Sequence, residues 1–408
     1  MACGLDVLER ERPRWLEGRR VGLLMHPASV THDLRSALEV VSNLCGPNLK
    51  VLFGPQHGIA GEKQDNMIES SHGQDEKLRI PIYSLYSKTR KPTPEMLQEV
   101  DVLLVDLQDV GTRVYTFEWT TALALVACAE LGKEVVILDR PNPLGGEAVE
   151  GNLVRDGYRS FVGLYPVPMR HGLTLGEMAA LVNARMANGS GSAKRPRPRK
   201  DGPGMSCAGA CELTVLPVRG LKRSMHFNDT GLPWVLPSPN MPTTDTANVY
   251  PGQVLLEGTN LSEARGATRP FELFGAPFLD LPALEKKLTA RHLPGCFLRP
   301  HTFEPMFHKW AGEVCQGFQI HVTDPRLYRP YYTTLAILQD ILSLHGERFA
   351  WKEPPYEYVA DRLPIDIITG DPAVREALET GTDLDDLAAS WRGEESAFRH
   401  EGRRFHLY

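Results

Sequence analysis

Residues 101–113, Asp101-Val102-Leu103-Leu104-Val105-Asp106-Leu107-Gln108-Asp109-Val110-Gly111-Thr112-Arg113, decide the fold. Val102 to Val105 are consecutive aliphatic residues with no polar alternation, the mark of a strand buried on both faces of a parallel sheet. Similar runs recur at Arg20–Met25, Lys50–Phe53, Ile80–Leu85 and Glu134–Leu138, separated by helical patterns at His32–Val41, Thr93–Glu99 and Thr120–Leu131. That alternation predicts right-handed βαβ units and an α/β fold, a Rossmann-like doubly wound parallel sheet. A helix over Thr174–Ala187 and a strand over Glu212–Val218 continue the pattern.

With 408 residues the chain exceeds one minimal domain, since domains run to roughly 100–200 residues. Trp234–Pro242, WVLPSPNMP, holds three prolines and suits neither a helix interior nor a central strand, so it reads as a crossing between domains. The expectation is a Rossmann-like catalytic domain over 1–235 and a second, smaller α/β domain over 236–408 that closes a cleft. The second domain is predicted to carry helices near Leu281–Ala290, Tyr332–Leu344, Pro372–Thr380 and Leu384–Phe398. Its predicted strands are Gln253–Leu256, Gly317–Val322 and Phe405–Tyr408. Residues 188–211, NGSGSAKRPRPRKDGPGMSCAGAC, lack periodicity and are expected to be a mobile insertion.

The charge balance is 45 Lys and Arg against 51 Asp and Glu, a net −6, which leaves no global positive field for a phosphate backbone and argues against a nucleic-acid partner. Seven scattered cysteines do not make a disulfide framework, and they fit a reducing compartment. The first residues, MACGLDVLERERPRWLEG, lack the apolar stretch of a secretory leader. No apolar run approaches the roughly 20 residues of a membrane span. A cytoplasmic protein without membrane contact is expected; its oligomeric state is left open.

There is no G-x-G-x-x-G and no G-x-x-x-x-G-K-[ST], so the sheet lacks the loops that cradle dinucleotides or triphosphates, and no cofactor is expected. H-E-x-x-H and G-x-S-x-G are absent as well. What remains is carboxylate, Arg, His and Asn chemistry at the strand ends, where ligands of such sheets bind. Glu62, Asp106, Asp109 and Asp139 are candidate acids, since glycoside cleavage uses acid groups flanking the scissile bond. Each of them would equally serve as a helix cap or turn brace. Gln56, His57, Gln108, Tyr115 and Asn142 lie in the same clusters, and Arg113, Arg140 and Arg170 would bind an anion or pair with an Asp. Asn240 comes from the crossing segment. His171, with His57, Asp106 and Asp109, also supports an alternative reading as a metal-dependent hydrolase, although their spacing lacks an i, i+4 ligand pair. In the second domain the polar stretch 257–272, with Asn260, Glu263, Arg265, Arg269 and Glu272, reads as a binding loop or as an exposed, salt-bridged turn.

The strings FGPQHGIAGE, PIYSLYSKTRKPTPEML, DLQDVGTRVYTF, VVILDRPNPLGGEAVEG, SFVGLYPVPMRHGLTLGE, LPWVLPSPNMPT, YPGQVLLEGTNLSEARGATRPFELFGAP and CQGFQIHVTD, taken in order from about Gly18 to Tyr408, resemble the exo-β-N-acetylmuramidase family of NamZ type. The resemblance implies a Rossmann-like domain and a smaller α/β domain with the active site between them. It also implies release of N-acetylmuramic acid, or a related amino sugar, from the non-reducing ends of peptidoglycan fragments, with a small saccharide or muropeptide as substrate and a place in cell-wall recycling. The lactyl carboxylate of that sugar would explain an Arg in the cleft, with Arg170, Arg265 and Arg269 as candidates.

One position departs from the family. Where many members read Pro-Glu-His-Gly, with that Glu a suspected catalytic acid, this chain reads Pro55-Gln56-His57-Gly58. A glutamine amide is no proton donor for acid catalysis. Three readings follow: Glu62 has taken the role; another acid such as Asp106 or Glu263 holds it; or the protein is a sugar-binding or regulatory module with a disabled site.

Overall fold

A computed structural model describes residues 1–63, 67–187 and 196–408. Twelve strands are described: β1 (Val21–Met25), β2 (Leu49–Gly54), β3 (Gly73–Gln74), β4 (Pro81–Ser84), β5 (Val102–Asp106), β6 (Glu134–Leu138), β7 (Arg197–Pro198), β8 (Met205–Cys207), β9 (Glu212–Leu216), β10 (Leu273–Ala276), β11 (Cys296–Phe303) and β12 (Cys315–Val322). The first nine form one sheet in the order β3-β4-β2-β1-β5-β6-β9-β8-β7. Its six central strands, β4 through β9 in that order, are parallel. Numbered among themselves they run 3-2-1-4-5-6, the doubly wound Rossmann order, with the reversal between β1 and β5.

The aliphatic runs are buried on both sides, as their composition requires. Val102 and Leu104 face a core shared with Leu5, Leu8, Val40 and Val41 of the helices Gly4–Glu11 and Ala37–Cys45. Leu103 and Val105 face the larger core under the helices Phe117–Glu130 and Leu175–Met186. That larger core continues without a break into the second half of the chain, through Phe274, Phe318, Leu335 and Ile365. There a three-stranded antiparallel sheet, ordered β10-β12-β11, packs with the helices Thr244–Gln253, Leu281–Ala290 and Pro330–His345.

Four expectations are corrected. Gln253–Leu256 is no strand: the helix Thr244–Gln253 ends there and a 3-10 turn, Val254–Gly258, follows, because Thr243 caps a helix start that the internal Pro251 obscures in the sequence. Phe405–Tyr408 makes no strand; instead the Tyr408 hydroxyl donates to Asp139 Oδ2 (2.7 Å) and accepts from the Val218 amide (2.8 Å). β10 and β11 escape the sequence reading because β11 is largely solvent-facing and Arg299-Pro300-His301 interrupts its alternation. Of the expected insertion, residues 188–195 lie outside the described residues, while β7 and β8 form an antiparallel edge on β9. Cys207 and Cys211 in that edge are buried, and all seven cysteines are free thiols.

Two features position the loops beyond β5. Gly111 has φ +73, and a Cβ there would lie 2.3 Å from Asn142 Oδ1, so only glycine lets the β5 and β6 loops pass so closely. Arg113, wholly buried, donates to the carbonyls of Asn152 (2.8 Å), Val167 (2.9 Å), Ile368 (3.0 Å) and Thr369 (2.6 Å), stitching the first half to the second.

Candidate active site

The loop after β2 and the loop between β5 and the helix Phe117–Glu130 meet three segments of the second half around a cleft. Gln56, His57, Tyr115 and Thr116 line it from the sheet side. Ser238, Asn240, Tyr250, Glu257, Arg265, Tyr356 and Glu357 line it from the other. The prolines of the crossing segment keep Ser238 and Asn240 in an irregular loop that reaches this space.

Gln56 is pinned at both ends of its amide. Thr116 Oγ1 donates to its Oε1 (2.6 Å), and that fixes Nε2 toward Glu357 Oε1, 3.5 Å away. The Tyr86 hydroxyl also donates to Glu357, at 2.8 Å from Oε2 and 3.0 Å from Oε1. Glu357 and Tyr358 take φ values of 45° and 67°, a left-handed pair of non-glycine residues that turns the Glu357 carboxyl inward. Burial pushes the Glu357 carboxyl up to about 7, against the pull of the Tyr86 hydroxyl and the Arg90 charge. It is therefore a carboxylic acid that still holds a proton near neutral pH.

A second carboxylate in the cleft sits in the opposite environment. Glu257 takes Arg265 Nη2 at 2.5 Å and the Tyr356 hydroxyl at 2.7 Å. Arg265 also faces Glu263 (3.2 Å), whose other oxygen receives Lys309 Nζ (2.8 Å). Burial opposes ionisation of Glu263, but Lys309, Arg265 and His308 outweigh it and hold the group at about 2. On the sheet side His57, at φ 72°, has Nδ1 2.6 Å from the Lys63 carbonyl, so Nδ1 carries the hydrogen and Nε2 is the basic nitrogen.

Of the residues singled out in the sequence, Gln56, His57, Tyr115, Asn240 and Arg265 line the cleft. Glu62 is exposed beside Lys63 (3.6 Å) and is not among the lining residues. Asp106 is wholly buried against Arg140, with contacts of 2.5 and 2.9 Å, and Arg140 also donates to the Val30 carbonyl. Asp139 caps the helix Leu175–Met186, accepting from Thr174 Oγ1 (2.7 Å) and the Gly176 amide (2.8 Å). Gln108 and Asn142 brace backbone, the first to the Asp109 and Pro141 carbonyls, the second to the Leu173 carbonyl. Arg170 donates to the Leu144 carbonyl (2.6 Å). Asn260 clasps Arg348 and Ala350, and Arg269 pairs with Glu272, whose carboxylate also receives Thr243 and Thr246. The stretch 257–272 is thus no exposed turn: Glu257, Glu263, Arg265 and Glu272 are all buried.

Of the suggested metal ligands, Asp109 and His171 come together, with Glu118 as a third, and His57 and Asp106 are not part of that group. His171 Nε2 lies 3.6 Å from Asp109 and 3.4 Å from Glu118, and the ligand atoms of these three buried residues all fall within 4.8 Å of one another. His171 Nδ1 accepts the Leu173 amide (3.2 Å), which leaves Nε2 turned toward these carboxylates without a hydrogen bond to them.

Glu257, Tyr356 and Glu357 were missed by the sequence reading. The available signal was Pro355-Tyr356-Glu357-Tyr358, an acid set between two aromatic residues just after a proline pair.

Family models described as "Exo-beta-N-acetylmuramidase NamZ, N-terminal" and "Exo-beta-N-acetylmuramidase NamZ, C-terminal" match residues 21–245 and 248–408. The chain belongs to the NamZ family. It is 40% identical over 405 residues to the peptidoglycan beta-N-acetylmuramidase NamZ of Bacillus subtilis (strain 168), covering 99% of this chain and 91% of the relative. Among solved structures it resembles two DUF1343 family proteins of Bacteroides fragilis NCTC 9343. The first has a TM-score of 0.85 at 33% identity, and the second 0.73 at 25%; each match covers 100% of this chain and 98% of the other. In this NamZ family chain the position after Pro55 is Gln56, and the acid that faces it is Glu357.

Proposed function

We infer that the protein is an exo-β-N-acetylmuramidase, a glycoside hydrolase that releases N-acetylmuramic acid from the non-reducing ends of peptidoglycan fragments. The cleft between a sheet-bearing lobe, 1–235, and a second lobe, 236–408, is the proposed active site. Glu357 carries the assignment: it is a buried acid that retains its proton near neutral pH and lines the cleft of a NamZ family fold. In this scheme Glu357 protonates the glycosidic oxygen as the bond to the leaving sugar breaks. Gln56 and Tyr86 hold its carboxyl in one orientation. Glu257, held by Arg265 and Tyr356, stabilises the positive charge that develops at the sugar ring, or orients the acetamido group if that group is the nucleophile. Asn240 and His57 supply polar contacts for the sugar.

A protonated acid opposite Gln56 favours hydrolysis over the reading of a disabled, sugar-binding module. Among the described residues no helix is long and apolar enough to cross a membrane. We propose action on soluble saccharide fragments in the cytoplasm.

Turnover of a chromogenic N-acetyl-β-muraminide is the direct test. Folded protein that binds N-acetylmuramic acid yet releases no chromophore between pH 5 and 8 would overturn the assignment.

A further inference from the structure

Four buried side-chain atoms converge at the loop after β5 without a hydrogen-bond partner among the described residues: Asp109 Oδ1, both carboxylate oxygens of Glu118, and His171 Nε2. Asp109, Glu118 and His171 are 4%, 2% and 1% exposed. Asp109 belongs to that loop, Glu118 to the first turn of the helix Phe117–Glu130, and His171 to the segment ahead of the helix Leu175–Met186. Backbone contacts bring the segments together: the Arg113 amide donates to the Met169 carbonyl (2.9 Å), and Thr112 bridges to Arg170. Asp109 Oδ2 accepts the Gly111 amide (2.7 Å), which fixes the carboxylate and leaves Oδ1 unmatched.

Two carboxylates and an imidazole closed off from water are costly unless they share something that all three can bind. Among the described residues neither carboxylate pairs with a Lys or Arg, and Arg113 of the same loop donates to backbone carbonyls. The spacing identifies the occupant. His171 Nε2 is 3.4 Å from Glu118 Oε2 and 3.6 Å from Asp109 Oδ2, and neither contact is a hydrogen bond. Ligand atoms about 2.1 Å from a tetrahedral ion stand about 3.4 Å apart, which is this separation. One imidazole nitrogen and two anionic oxygens suit Zn²⁺, and the two carboxylates cancel its charge. The second oxygen of Glu118 or a water completes the four ligands.

We propose that Asp109, Glu118 and His171 form a structural site for one Zn²⁺ ion. The three are not among the residues that line the cleft, so the ion takes no part in the hydrolysis proposed above and the site stands independently of it. Coordination through Nε2 places the imidazole hydrogen on Nδ1, and the ring then gives up the Leu173 amide, a 3.2 Å contact at the long end of its range. The ion fixes the loop from Asp109 to Glu118. That loop carries Tyr115 and Thr116 to the cleft, and Thr116 holds Gln56. His171 also lines a surface pocket with Gly146, Phe398 and His406, which gives the ion and a chelator a route from solvent.

The experiment uses the untagged full chain, stripped with a chelator and dialysed against Zn²⁺, Mg²⁺ or Ca²⁺, with bound metal read by elemental analysis and unfolding by thermal melts. Wild type should retain about one Zn²⁺ per chain. An ion at about 100 to 1,000 times its Kd raises the melting temperature of a chain this long by roughly 3–5 °C. Mg²⁺ and Ca²⁺ prefer all-oxygen ligands and should give less than about half that shift. Glu118→Gln keeps the shape of the side chain and removes one anionic ligand, so it should bind Zn²⁺ at least about tenfold more weakly. With chelator present it should melt no lower than stripped wild type, since it buries one charge fewer. A Zn²⁺ shift matched by Mg²⁺ or Ca²⁺, or a Zn²⁺ affinity unchanged in Glu118→Gln, would overturn the site. Protein purified from zinc-supplemented culture needs neither stripping nor reloading, and less than about 0.2 Zn²⁺ per chain there overturns it as well. Each readout is metal content or melting, so the outcome is separate from whether the protein cleaves a muraminide.

Discussion

Replacing Glu357 by Gln removes one titratable proton from the cleft while keeping the shape of the side chain and an oxygen for the Tyr86 hydroxyl. Burial raises this carboxyl from 4.5 to about 7. At about 1.4 kcal/mol per tenfold change in acidity, the charged form is about 3 kcal/mol worse in the folded protein than in water. Two consequences follow. In catalysis, loss of a general acid lowers the rate roughly 10²- to 10⁴-fold for a sugar leaving group, which needs the proton. A 4-nitrophenolate leaving group needs little protonation, so the loss there should be smaller by about tenfold or more. The alkaline limb of the wild-type kcat profile, expected near pH 7, should vanish in the variant. In stability, the folded pKa lies above the unfolded one, so the contribution of Glu357 is fully present below about pH 4.5 and is lost as the pH rises through about 7. Glu357→Gln is free of that loss, and it should melt higher than wild type at pH 8, by a few °C, and close to it at pH 4. The assay is steady-state hydrolysis of a disaccharide and of a nitrophenyl muraminide from pH 4 to 9, with thermal melts over the same range. Equal losses on both substrates together with an unchanged alkaline limb would refute Glu357 as the proton donor.

Gln56→Glu brings a second carboxyl to within about 3.5 Å of Glu357, so the pair should share a proton and move the alkaline limb upward by about one pH unit or more, read from the same profile. Arg113→Met strips the donors from four buried carbonyls, two in each half of the chain; chemical denaturation should show a loss of about 3–5 kcal/mol. Asp139→Asn weakens the cap of the helix Leu175–Met186 and the tether to Tyr408, with an expected cost of about 1–2 kcal/mol in the same assay. Burial raises Asp139 to about 6, so its ionisation, like that of Glu357, adds to a decline in wild-type stability between about pH 4 and 7.

The parallel sheet was legible because strands buried on both faces must be aliphatic throughout, and Val102–Val105 and Val135–Leu138 are. The polar clusters at their ends were legible for the same reason: they begin where the aliphatic runs stop. Position in a cluster does not reveal a partner, however. Asp106 ends one strand of the sheet and Gln56 follows another, yet Asp106 is buried against Arg140 while Gln56 opens onto the cleft. Nothing local separates the two cases.

By itself, then, the sequence determined the Rossmann-like sheet and membership of a glycosidase family, because these depend on periodicity and on motifs contiguous in the chain. Only the tertiary structure brings forward Glu357, the acid we propose for the chemistry. Glu357 stands 301 residues from Gln56, and an acid's affinity for its proton depends on desolvation and on the charges around it, both set by groups that folding brings from far along the chain.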